Sequence, residues 1–226
     1  MLFYDLHIHS CLSPCASDDM TPHNICAMAH IKGLDVISVT DHNTAGNLRA
    51  VSENARRYDV LFVPGIEINT REEVHLLGYF NSVENAEGFS KYCDNYRQNI
   101  KNSPEYFGRQ YYMDSEDNII SEEENLLISP LLLSFEEAVE SIRNFGGVPV
   151  PAHIFRSNGI INMLGFIPPD SGIKCIEVNG NGVPPKGYNI LHSSDAHTLG
   201  DISEPLFCLN CDKNIDSILT CLEKTN

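Results

Sequence analysis

Residues 5–10 read DLHIHS and combine a strand pattern with two closely spaced histidines. Side chains two positions apart in a β-strand leave the same face, about 7 Å apart at the backbone. His7 and His9 therefore point in one direction from the same strand. This spacing suits two imidazoles that converge on one metal ion or on two adjacent ions.

Short apolar runs recur along the chain and alternate with helical patterns. Thr21, Pro22 and Gly33 supply cap, first-turn and C-terminal signals for one helix, and Ser134 with Glu137 forms a capping box for another. Alternation of strand and helix predicts a mostly parallel α/β sheet or barrel. The runs that predict strands are residues 2–8, 35–40, 60–66, 74–80, 147–153, 172–178, 188–194 and 205–210.

Residue types that bind metals stand at the ends of most of these predicted strands. In parallel α/β sheets and barrels, reactive side chains gather at the carboxyl ends of the strands. Imidazole combined with carboxylate suits zinc, manganese or iron(II) rather than a structural thiolate zinc site. Besides the first pair, the candidates are His42, Glu67, His75, His153, Asp195 and His197, and the loop after the first strand adds Asp18 and Asp19.

The ordered segments DLHIHS, TDHNT, PGIEI, EVHLLGYF, PAHIF and SSDAH resemble the PHP (polymerase and histidinol phosphatase) family of metal-dependent phosphoesterases, in its short stand-alone form. The resemblance spans Asp5 to about Asp201. It implies a distorted (β/α)7 barrel with two or three divalent ions (Zn, Mn or Fe) at the strand ends, and Glu67 would bridge two of them. The implied ligands are His7, His9, Asp18, His42, Glu67, His75, His153, Asp195 and His197.

The first loop departs from the family pattern. Many relatives read Ser-Asp-Gly there, whereas this chain reads CASDDMTP. Asp18 is favoured over Asp19 as the loop ligand, and a two-metal site remains if neither binds. Cys11 and Cys15 in the same loop are expected to be free thiols, with a disulfide or an extra metal site as the alternatives, and Cys208 and Cys211 are expected to be structural.

The implied chemistry is hydrolysis of a phosphate monoester by a hydroxide that bridges two metal ions. Glu67, Asp195 and His197 would form the reactive centre, and either Asp195 or His192 could assist the leaving oxygen. Arg156 follows a ligand-bearing strand and could grip the phosphate with two hydrogen bonds, with Arg71 as a weaker candidate. Asp41 could hold a ligand imidazole by a hydrogen bond, and Glu177 is expected to be a supporting carboxylate.

Composition sets the remaining expectations. The 226 residues carry 31 acidic against 15 basic side chains, a formal net charge of −16, so binding of long nucleic acid is disfavoured and a small phosphorylated substrate is preferred. The absence of an export signal or a membrane-length apolar run predicts a cytoplasmic protein. Residues 1–226 are expected to form a single domain with an acidic insertion at about 84–130, and the oligomeric state stays open.

Two other functions are consistent with the same residues. The domain could be a catalytically quiet, metal-stabilised module that binds a partner protein. It could also hydrolyse an amide or a lactone, because a metal-activated water can attack carbon as well as phosphorus.

Overall fold

Helices and strands alternate along residues 1–180 and 182–224, the part of the chain that the computed structural model describes. The strands are β1 (Leu2–Ile8), β2 (Val36–Val39), β3 (Leu61–Phe62), β4 (Gly65–Asn69), β5 (His75–Phe80), β6 (Tyr111–Met113), β7 (Ile119–Glu122), β8 (Gly147–Pro151), β9 (Cys175–Glu177), β10 (Asn189–Leu191) and β11 (Cys208–Leu209). The helices are α1 (Pro22–Lys32), α2 (Leu48–Arg57), α3 (Val83–Cys93), α4 (Pro104–Phe107), α5 (Phe135–Asn144), α6 (Ile160–Leu164) and α7 (Ile215–Glu223).

The strands pair into four small sheets of mixed direction, ordered β11-β1-β2-β3, β4-β5-β8, β10-β9 and β6-β7. β1 with β2, β2 with β3, and β9 with β10 are parallel, while the other pairs are antiparallel. The turn between β4 and β5 covers only residues 70–74, too short for a parallel crossover. The fold is therefore mixed α/β, and the ladders of the described residues do not close into a barrel.

The predicted helix signals are confirmed at both helices. The Thr21 side chain accepts a hydrogen bond from the Asn24 backbone N–H, and Gly33 ends α1 with a φ of 76°. At α5, Ser134 and Glu137 form the reciprocal capping box. Each cap satisfies backbone groups that a helix end leaves without partners, so both helices begin where the sequence indicates.

Segment 84–130 contains most of α3, then α4 and the β6–β7 hairpin. Asn47 fastens the hairpin to the rest of the chain: its amide donates to the Tyr111 carbonyl and accepts from the Met113 N–H. Gln110 is buried and bonds backbone groups across the segment, including the Leu127 N–H at 2.8 Å. The single domain with an acidic insertion stays a prediction.

One apolar cluster lies among strands that belong to three different sheets. Leu6, Leu77, Val150, Cys175 and Leu191 all belong to it and are buried. The Tyr79 hydroxyl also donates to the Leu6 carbonyl at 2.8 Å. A larger cluster packs the helices against the strands. The strand ends that carry the predicted metal ligands are thus held by a shared core.

Membrane-spanning helices are not found in the described residues, since none of the helices there is long and apolar enough to cross a bilayer.

Gly65 at the start of β4 shows how closely the chain is packed near the predicted ligands. A Cβ added at Gly65 would lie 2.4 Å from Ser38 Oγ and 2.7 Å from Thr40 Cγ2, both on buried side chains. Gly65→Ala should therefore destabilise the protein by about 1–3 kcal/mol, as overpacking does. Thermal denaturation measures the effect. Gly200→Ala is the control, because its Cβ would meet only Thr198 Oγ1 at 3.9 Å; equal melting temperatures for the two variants would contradict the prediction.

Candidate metal centre

The carboxylate of Glu67 lies at the centre of a group of histidines. Glu67 occupies the middle of β4 and is completely buried. Five imidazoles from four parts of the chain place a ring nitrogen within 3.4 Å of its oxygens. The distances are 3.4 Å for His7, 3.3 Å for His9, 3.1 Å for His42, 2.9 Å for His75 and 3.2 Å for His153.

The charges of this group are strongly coupled. Burial alone would raise the pKa of Glu67, but the surrounding histidines, His75 and His7 foremost, hold its pKa well below the ordinary value. Burial works against a charged His9, yet hydrogen bonds to Asp195 and Glu67 raise the pKa of His9 to about 9. Burial lowers the pKa of His42 well below its ordinary value. Glu67 is therefore kept ionised, and the imidazoles around it compete with one another for protons.

Hydrogen bonds on the outer ring atoms aim His7 and His9 at each other. His7 Nδ1 lies 2.9 Å from the Glu177 carboxylate, and His9 Nδ1 lies 3.0 Å from Ser13 Oγ. The two Nε2 atoms face each other at 3.2 Å, and both lie within 3.2 Å of Asp195 Oδ1. Fixing one ring nitrogen in this way selects the tautomer that leaves the other free to bind a metal.

Asp41 acts on His9 rather than on its neighbour His42. It is buried and accepts hydrogen bonds from the Ser10 N–H, the Ser10 hydroxyl and the Ser13 hydroxyl. Because the Ser13 proton is donated to Asp41 at 2.6 Å, the Ser13 oxygen is left to accept from His9. Asp41 therefore holds a candidate ligand imidazole through Ser13, a residue that the sequence pattern does not single out. Glu177 has the supporting position that was expected.

Asp195, His197 and Arg156 lie at the edge of the group. The His197 Nδ1–H donates to the Asp195 carbonyl at 2.7 Å, and the His197 ring stacks on His9 with centroids 4.6 Å apart. The Arg156 guanidinium donates to Asp195 Oδ2. Nearby positive charge, from His7 first, lowers the pKa of Asp195 against the opposing effect of burial. Arg156 is half exposed, so this edge is open to solvent.

Three candidates from the sequence lie elsewhere. Asp18 and Asp19 are exposed and belong to none of the groups of potential ligand atoms. His192 is engaged outside the centre: its Nδ1 donates to the Val178 carbonyl at 2.8 Å and its ring stacks on Phe207. The first loop instead brings Cys15 close to His9, His42 and His197.

The donor set fits divalent metal ions. His42 Nδ1 and Glu67 Oε2 are buried and face each other at 3.1 Å, yet neither makes a hydrogen bond among the described residues. The buried Nδ1 of His153 has no hydrogen-bond partner there either. Buried polar atoms rarely stay unpaired unless a ligand or water serves them. Three groups have potential ligand atoms within 4.8 Å of one another, namely His7 with His9 and Asp195, His42 with Glu67 and His75, and His9 with Cys15, His42 and His197. Imidazole and carboxylate donors in these combinations suit zinc, manganese or iron.

Metal bound around Glu67 should stabilise the folded protein, so removal of the metal should lower the free energy of unfolding. A ligand at 100 times its dissociation constant stabilises the native state by about 2.7 kcal/mol, so a chelator should lower the melting temperature of the wild type. In Glu67→Gln the central charge is lost, and we expect reduced metal content and little response to the chelator. Elemental analysis and thermal denaturation measure both. Glu53→Gln, on the exposed face of α2, should behave as wild type; a Glu67→Gln protein with full metal content would refute the assignment.

The link through Ser13 has its own test. Ser13→Ala leaves His9 Nδ1 without its acceptor and Asp41 without one donor, so metal affinity should fall by about 10–100-fold. Competition with a chromophoric chelator measures that affinity. Ser17→Ala is the matched control in the same loop, because the Ser17 side chain is exposed. Unchanged affinity in Ser13→Ala would show that the serine does not orient His9.

Comparison with solved structures shows where the same fold occurs. A lesion-specific endonuclease from Pyrococcus furiosus superposes with a TM-score of 0.70 at 19% identity, over 98% of this chain and 56% of that one. A candidate metal-dependent phosphoesterase from Bifidobacterium adolescentis gives 0.59 at 18% identity, over 87% and 88%. Endonuclease Q in complex with a 27-mer duplex that has an abasic lesion at its active site gives 0.60 at 19% identity, over 88% and 49%. These identities show a shared fold, and the chain spans about half the length of the endonucleases.

Sequence comparison identifies the family. No curated protein matches the chain. The PHP domain model matches residues 5–134, more than half of the chain, a range that includes His7, His9, His42, Glu67 and His75. His153, Asp195 and His197 lie beyond the matched range, and the fold brings them to the same centre. The chain therefore belongs to the PHP domain family.

Proposed function

We propose that this chain is a metal-dependent hydrolase that removes phosphate from small phosphate monoesters. The observation that carries the proposal is the buried Glu67 carboxylate among five imidazoles, with Asp195 and the half-exposed Arg156 at the open edge. The guanidinium at this open edge supplies positive charge that an anionic substrate can meet.

The side chains around Glu67 are proposed to hold two or three divalent ions (Zn, Mn or Fe), with Glu67 shared between two of them. Bound ions of this kind supply an acidified water and positive charge beside the phosphoryl oxygens. The proposed ligands are His7, His9, His42, Glu67, His75, His153, Asp195 and His197. Asp18 of the first loop is not part of this proposal, because its side chain is exposed and outside the donor groups.

Arg156 is proposed to bind the phosphate of the substrate. A guanidinium has five N–H donors, and the hydrogen bond to Asp195 uses one of its terminal nitrogens. Its other nitrogens make no hydrogen bond within the described part of the chain. Asp195 thus fixes the direction of the side chain and leaves donors for two parallel hydrogen bonds to phosphate. Because the position is set before substrate arrives, little side-chain freedom is lost on binding.

The charge of the chain favours a small substrate. A formal net charge of −16 repels a long phosphate backbone, whereas a single phosphate group needs only the local positive charge at the site edge. The endonuclease Q complex holds duplex DNA, so an oligonucleotide belongs in any substrate panel as the competing class.

Links between the sheets favour a distorted seven-stranded arrangement within one domain. Its strands would be β1, β2, β4, β5, β8, β9 and β10. Single bridges link neighbouring sheets, from Ile8 to Ala196 and from His42 to Glu67. The backbone N–H of Ile154, just after β8, bonds the Glu177 carbonyl in β9 at 3.0 Å. These links support a ring of strands that surrounds the shared apolar cluster, with the ligands at one end.

The proposed activity is tested by phosphate release from a panel of small phosphate esters, after reconstitution with manganese, iron(II) or zinc. Release that is abolished in His7→Asn would support the proposal, and the ranking of the esters would indicate the substrate. Release only from an oligonucleotide would replace the small substrate with nucleic acid. Hydrolysis of amides or lactones alone, or metal binding with no turnover of any substrate, would refute the phosphatase in favour of a carbonyl hydrolase or a binding module.

Arg156→Ala separates phosphate binding from metal binding. We expect KM for the best ester to rise by about 10-fold or more, since charge-assisted hydrogen bonds are worth roughly 1.5–3 kcal/mol, while metal content stays at the wild-type level. Steady-state kinetics and elemental analysis measure these quantities.

Arg49→Ala is the matched control, because Arg49 is also exposed and paired with carboxylates, on α2. Unchanged kinetics in Arg156→Ala would remove Arg156 from the proposal.

A further inference from the structure

The first loop places a thiol where the sequence pattern predicts a carboxylate. Cys15 offers its sulfur within 4.8 Å of ring nitrogens of His9, His42 and His197, and these atoms are mutually within the same distance. Asp18 and Asp19 of the same loop lie outside this group. All three residues are exposed, so the position of the sulfur, and not burial, distinguishes Cys15 from the aspartates. The thiol is thus the loop donor that faces the histidines.

Backbone hydrogen bonds fix the loop in this position. The Ser13 N–H bonds the Ser10 carbonyl at 2.9 Å, and the Ala16 N–H bonds the Ser13 carbonyl at 3.0 Å. The Ser17 N–H donates to the His197 carbonyl at 2.9 Å, which ties the loop directly to a second member of the group. Cys15 is held between these anchors, so its approach to the histidines follows from the fold of the loop.

Two of the imidazoles are arranged to accept a further ligand. His42 is buried, and its Nδ1 faces Glu67 Oε2 at 3.1 Å, although neither atom makes a hydrogen bond within the described residues. His197 is fixed by the hydrogen bond from its Nδ1 to the Asp195 carbonyl, which leaves Nε2 as the available donor atom. A buried imidazole nitrogen and a buried carboxylate oxygen that face each other without a hydrogen bond are independent evidence that a ligand such as a metal ion belongs beside His42.

We propose that the Cys15 thiolate is the first-loop ligand of the metal centre and binds one of its divalent ions together with His42 and His197. A thiolate with imidazoles favours zinc or another thiophilic metal such as cobalt over manganese or magnesium. This inference rests on the proposed function, because it extends the same metal centre, and it adds that one position of the centre has a different metal preference.

Cobalt substitution tests the thiolate ligand independently of activity. In the cobalt-loaded wild type, a thiolate-to-cobalt charge-transfer band should appear in the near ultraviolet. Cys15→Ser should lose the band completely and lose one equivalent of bound metal by elemental analysis. Cys15→Asp should lose the band but keep the metal, since a carboxylate can replace the thiolate. The control is Cys208→Ser, an exposed thiol outside the group, which should keep both.

The outcomes separate this inference from the function on which it rests. Cobalt-loaded wild type without the band, or a band that persists in Cys15→Ser, would overturn the Cys15 ligand while the centre around Glu67 stands. A wild type that binds no metal would overturn both. Retention of the band in the control together with its loss in Cys15→Ser supports the inference whichever substrate the enzyme hydrolyses.

Discussion

The structure depends on one buried carboxylate. Glu67 lies in the middle of β4 with no access to water, and an ionised group in such a place is costly unless opposite charge surrounds it. Five imidazoles lie around the carboxylate and can supply that charge. They come from β1, from β5 and from the segments after β2 and β8. The sheets are small, and the centre joins residues of the β1–β2 sheet to residues of the separate β4–β5–β8 sheet. The same interaction therefore serves the fold and the chemistry.

A layer of polar groups around this centre determines what it can bind. Glu177 and Ser13 occupy the outer nitrogens of His7 and His9, and Asp41 fixes Ser13 in turn. Asp5 performs a comparable task on the other side: its carboxylate accepts from Ser194 and Ser203 and ties β1 to the loop that carries Asp195. Satisfied buried networks of this kind are rigid, which keeps the inner nitrogens pointed at one another.

Local sequence patterns pick out the residues that the fold brings together around Glu67, but not the residues that surround them. The His7–His9 pair and the positions of His42 and His153 just after strands follow from local periodicity, and the caps of α1 and α5 follow from short-range hydrogen bonding. The same periodicity predicts a strand end at Glu67, but Glu67 lies in the middle of β4, because the strand continues to Asn69 in its antiparallel pairing with β5. Long-range hydrogen bonds decide which side chain of the first loop faces the centre. The bond from the Ser17 N–H to the His197 carbonyl is one of them, and a local sequence pattern cannot reveal it. His192 illustrates the same limit, because its neighbour in space, Phe207, is distant in the sequence.

Backbone conformation at two candidate ligands shows how far the fold is adapted to this centre. His153 and Asp195 have φ values of 28° and 55°, a region that favours glycine. Each such residue costs roughly 1–3 kcal/mol and persists only where its surroundings over-determine it. The bonds of Ile154 to Glu177 and of His9 to the Ala196 carbonyl provide that constraint beside each strained residue. Glycine would relieve the strain but would remove the imidazole or carboxylate, so the conformation is maintained for the side chain that it directs.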